Sequence, residues 1–94
     1  MSDITATTVT ADGVAVAHPA RVTSIYYIRG SSAGSIVLKD GGSGGTTLLT
    51  LTTPGAGSGV DAANTMSIPS DGLRFSTNVY VDVTNVTSVT FFHA

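Results

Sequence analysis

Ile68-Pro-Ser-Asp-Gly-Leu-Arg-Phe-Ser-Thr-Asn-Val-Tyr-Val-Asp-Val-Thr-Asn-Val-Thr-Ser-Val-Thr-Phe-Phe92 reads as three short strands parted by turn residues. Leu73 and Phe75 share one parity and Arg74 and Ser76 the other. Val79, Val81 and Val83 alternate with Tyr80, Asp82 and Thr84, and Val89 and Phe91 alternate with Ser88, Thr90 and Phe92. Successive side chains of a strand point to opposite faces, so this pattern sets an apolar face on a core and a hydroxyl-rich face away from it. The stretch offers packing and contact surface and almost no reactive group.

The same grammar extends toward the N-terminus. Ser35–Lys39 and Thr46–Thr53 flank the Gly-rich run Gly41-Gly-Ser-Gly-Gly-Thr-Thr47 and predict a hairpin, and Thr65–Ile68 predicts another short strand. Arg21–Arg29 predicts the longest early strand, and Thr5–Thr10 with Val14–His18 predicts an N-terminal strand pair or arm around Asp12-Gly13. Asp-Gly favours tight turns, since Gly accepts positive φ and Asp bonds its downstream backbone. Segment 54–64, PGAGSGVDAAN, is the longest expected loop and the one expected to move. Glu and Gln are absent and no apolar stripe has helical spacing, so helices are not expected. Short strands with frequent turns predict an all-β antiparallel sandwich, jelly-roll-like, of about eight strands. Residues 1–20 are read as the arm and 21–94 as the core of one domain.

Composition narrows the function classes. Charged residues make up 11% of the chain, against about 25% in ordinary domains, so the surface is either hydroxyl-rich or covered by a partner. The four cations, Arg21, Arg29, Lys39 and Arg74, are dispersed along the sequence and the net charge is −2. Nucleic-acid and membrane-surface binding need clustered cations, and neither is expected. With no cysteine, a chain of 94 residues has neither disulfides nor a thiolate zinc site. Self-association is then the expected source of added stability. Met1-Ser-Asp-Ile does not read as a secretory leader and no stretch is apolar for the length of a membrane helix.

No catalytic, cofactor or metal site is expected. Thr46-Thr-Leu-Leu49 follows the glycines where a P-loop needs Lys and a helix. Asp12, Asp40 and Asp71 belong to turns, with no Glu to complete a calcium loop. His18 and His93 lack sequence neighbours that would orient them as ligands or bases. No serine lies in a strand-to-helix elbow, and nothing selects a carboxylate pair from the six Asp. Ile25, Tyr26, Tyr27, Phe91 and Phe92 put large apolar groups on both parities, which predicts a subunit or partner interface or, as the alternative, an inner strand with a partly apolar outer face. Tyr80, beside Asn78, Asp82 and Thr84, is a candidate for stacking on a sugar.

The runs Arg21-Val-Thr-Ser-Ile-Tyr-Tyr27, Gly34-Ser-Ile-Val-Leu-Lys-Asp-Gly-Gly42, Thr47-Leu-Leu-Thr-Leu-Thr-Thr-Pro54 and Ile68-Pro-Ser-Asp-Gly-Leu-Arg-Phe75 resemble small virion proteins of tailed phages, especially those of aquatic and cyanobacterial hosts. The resemblance covers roughly Arg21 to Phe92 and rests on turn chemistry and strand spacing. It implies an antiparallel β-sandwich, commonly trimeric, that decorates and cements a capsid by binding the major capsid protein. The alternative it implies is a tail-fibre or baseplate module that binds host-surface glycan. The expected location is the virion, after synthesis in the host cytoplasm, and the resemblance supplies no functional motif to carry over.

Overall fold

Alternation along the chain folds into nine strands in a computed structural model that describes residues 4–57, 59, 61–69 and 71–94. They are β1 (Thr5–Val9), β2 (Gly13–Val16), β3 (Ala20–Arg29), β4 (Gly34–Asp40), β5 (Thr46–Thr53), β6 (Ala63–Ser67), β7 (Leu73–Phe75), β8 (Val79–Thr84) and β9 (Val86–His93). One sheet runs β1-β9-β3-β6, with β7 also pairing β3, and the other runs β2-β8-β4-β5. Every pairing is antiparallel. The molecule measures 38 × 33 × 19 Å, and its thin axis suits two sheets packed about 10 Å apart with side chains on their outer faces.

The core fills from the inner faces. Val22, Ile25, Phe75, Val89 and Phe91 of the first sheet meet Ile36, Leu38, Val79 and Val81 of the second, all fully buried. Burying one such side chain stabilises the fold by about 1.5–3 kcal/mol. The valine ladder of β8 thus serves the core as its alternation requires, with Tyr80 and Asp82 on the other face. Two close approaches need glycine. Gly72 has φ +90° beside the Val22 carbonyl, and a Cβ on Gly34 would collide with the Thr84 carbonyl.

The 35–39 and 46–53 segments form the expected hairpin. The N-terminal strands do not form the expected pair or arm. β1 pairs with β9 and β2 with β8, so the turn at Ala11-Asp12-Gly13 carries the chain from one sheet to the other. Each strand gains a ladder on a long partner, which a lone two-stranded hairpin in water could not supply. Of the expected mobile segment, Ser58 and Val60 lie outside the described residues. So do Met1–Asp3 of the expected arm and Ser70 of the Pro-Ser-Asp-Gly turn.

Candidate functional site

The β3–β9 ladder carries five of the six residues picked out by sequence and divides them between two faces. Ile25 pairs with Phe91 and Tyr27 with Val89 on the inner face. Ile25 and Phe91 are 0% exposed, which corrects their assignment to an interface: each packs between the sheets and has no surface to offer a partner. Tyr27 is half-buried against the same core. A register shift between Val22 and Ser24 explains the broken alternation, because the extra residue turns both Val22 and Ile25 inward. Residues 25–28 themselves alternate regularly, so the second apolar parity there is the outward one of Tyr26, as Phe92 is on β9.

Tyr26 and Phe92 remain on the outer face. Register builds two adjacent rows there, Thr8–Thr90–Tyr26–Thr65 and Ala6–Phe92–Ser24–Ser67. Neither row contains a charged residue. Tyr26 is 37% exposed and Phe92 is half-buried. Hydroxyls fill the spaces around the rings, and Thr8 Oγ1 and Thr90 Oγ1 bond each other at 2.8 Å. The two aromatic side chains thus stand on a broad, uncharged, hydroxyl-rich sheet surface.

The outer face of the second sheet differs. Tyr80 lies opposite Val14 and Lys39, half-buried between a 49%-exposed valine and a lysine stem. Asp82 follows two residues along. Tyr80 keeps the outward placement read from sequence, flanked by a charge that Tyr26 lacks.

Asp40 supplies the densest polar contact. Its carboxylate accepts Ser76 N–H at 3.0 Å, Ser76 Oγ–H at 2.8 Å, Thr77 N–H at 2.8 Å and Asn78 N–H at 3.3 Å. In return Asn78 Oδ1 accepts Gly41 N–H and Gly42 N–H at 3.2 and 3.1 Å. These donors, led by the Ser76 hydroxyl, hold the Asp40 carboxyl down at about 2. Asp40 is thus a long-range tether between the β4–β5 hairpin and the β7–β8 crossover, beyond the local turn role expected of it. Asp12 acts similarly by accepting Val83 N–H at 2.7 Å.

His93, 5% exposed, shares a 3.0 Å hydrogen bond with the Thr7 hydroxyl. Burial and the nearby His18 hold its pKa below the ordinary histidine range. The partner lies 86 residues away and had no signal in the local sequence. Among the described residues no group of three or more His, Cys, Asp or Glu is placed to hold a metal ion. No helix among them is long and apolar enough to cross a membrane. Comparison with family models, curated proteins and solved structures finds no match to this chain.

Proposed function

We propose that this chain is a structural module of a tailed-phage virion, a jelly-roll capsid decoration protein that docks in symmetric groups and cements the shell. The jelly-roll reading rests on strand order. Counting β6 and β7 as one interrupted strand gives 1-8-3-6 in one sheet and 2-7-4-5 in the other, the order of two interlocked Greek keys. The docking reading rests on the two uncharged outer rows across β1, β9, β3 and β6, where Tyr26 and Phe92 stand among Thr and Ser hydroxyls. Aromatic anchors within a surface depleted of charge are the composition of an interface centre.

The role is non-catalytic. A small cysteine-free module gains avidity and stability from many identical sites on a shell, and a trimer multiplies each contact. Co-sedimentation with expanded empty capsids of the parent phage tests the reading, alongside light scattering of the free protein. Saturable binding by a trimer is expected. A protein that ignores capsids but cofractionates with tails would overturn the capsid assignment and move the module to the fibre or baseplate.

A further inference from the structure

The four cations divide into two kinds. Arg29 donates from Nε to the Asp61 carbonyl at 3.1 Å and from Nη1 to the Gly30 carbonyl at 3.2 Å. Lys39 Nζ donates to the Ser43 carbonyl at 3.1 Å. Arg21 and Arg74 have no side-chain hydrogen bond and no ion pair among the described residues. Yet β3 and β7 pair them directly, Arg21 opposite Arg74, with both side chains exposed. Directly opposed residues on one sheet face hold their Cβ atoms about 4.5–5.5 Å apart, and like charges so placed destabilise the pair.

Both arginines line a cavity of about 500 Å³, completed by Pro19, Ala20, Phe75 and Ala94. On the far side of Arg21, its N–H and C=O bond the backbone of Ala94 at 3.1 and 2.9 Å. Ala94 borders the depression beside Arg21. Two arginines thus border one open depression with a proline, two alanines and a phenylalanine. Guanidinium forks match carboxylate and sulfate oxygens geometrically. The depression is open to solvent and wider than a bare oxyanion needs.

We infer that the Arg21–Arg74 cavity binds a small organic acid of monosaccharide size, the oxyanion bridging both guanidiniums and the carbon skeleton lying against Pro19 and Ala20. A uronic acid has this chemistry: one carboxylate and a ring with apolar C–H faces. The site borders the proposed docking face, on the outward row next to Phe92, and needs no capsid to be tested. Occupancy would also relieve the repulsion of the opposed arginines, coupling binding to stability.

Backbone amide chemical shifts, followed at low ionic strength to limit screening, test the site with glucuronate, methyl glucoside and inorganic sulfate. Glucuronate should give saturating shifts at Ala20, Arg21, Arg74 and Phe75. Arg21→Gln and Arg74→Gln should each weaken it about tenfold or more, the loss expected for a charge-assisted contact. Lys39→Gln, with the same change of charge, should leave affinity unchanged, and methyl glucoside should not bind. Sulfate binding as tightly as glucuronate would overturn the assignment to an organic acid. Absence of saturation, or wild-type affinity in both arginine variants, would overturn the site itself.

Discussion

The two faces of the β3–β9 ladder are built from nearly the same residue types and have opposite fates. Inward, Ile25 and Phe91 pair and are fully buried. Outward, Tyr26 and Phe92 stand one residue further along each strand, among Thr90, Thr8 and Ser24. The inner pair is held by the opposite sheet, so its free energy is spent within the chain. The outer pair makes hydrophobic surface without a second layer to cover it. Residue type alone does not distinguish fold from function in this ladder; the packing layer does.

The largest effect should come from the inner face. Phe91→Ala removes a fully buried ring and should lower the unfolding free energy by about 3–5 kcal/mol, read by denaturant melts. Phe92→Ala, half-buried and outward, should cost much less stability while abolishing docking. Equal destabilisation by the two substitutions would erase the distinction between the faces.

The polar end of the inner row allows a pH test. His93 has a folded pKa below its unfolded value near 6.5, so the unfolded state takes up the proton first. Stability should therefore fall as the pH drops below about 6.5, and His93→Gln should flatten that decline. Asp40 acts in a lower window. Its carboxyl titrates at about 2 in the fold against 3.8 unfolded, so its contribution is present above 3.8 and is lost as pH falls through 2. Asp40→Asn should remove that acid limb and lower the melting temperature at neutral pH. A melting curve identical to wild type across both windows would contradict these roles.

A smaller effect with the opposite sign is expected at the edge of the second sheet. The Thr53 hydroxyl is buried with no hydrogen-bond partner among the described residues. Thr53→Val keeps the shape, removes the stranded polar group and should stabilise the protein by about 1 kcal/mol in the same melts.

Strand identity was legible because alternation and Asp-Gly turns are local. The hairpin over 35–53 and the outward placement of Tyr80 follow from such signals. Three features were not legible, since each depends on long-range register. Ile25 resembled an interface residue because Tyr26 follows it on the other parity, and only register shows which parity faces the second sheet. Asp40 meets Ser76, Thr77 and Asn78 across 36–38 positions. Arg21 and Arg74, dispersed in sequence, become neighbours only when β7 pairs with β3. The N-terminal strands were expected as a pair for the same reason: their better partners, β9 and β8, lie at the other end of the chain.

Thr90, in the middle of the uncharged outer rows, gives the most direct test of docking. Thr90→Lys removes the hydroxyl contact to Thr8 and should cost about 0.5–1.5 kcal/mol, leaving the protein folded. The decisive measurement is binding of folded wild-type and Thr90→Lys protein to expanded empty capsids, quantified by co-sedimentation. Saturable wild-type binding that is lost in the lysine variant is the predicted result. Undiminished binding by Thr90→Lys would contradict the claim that this face docks.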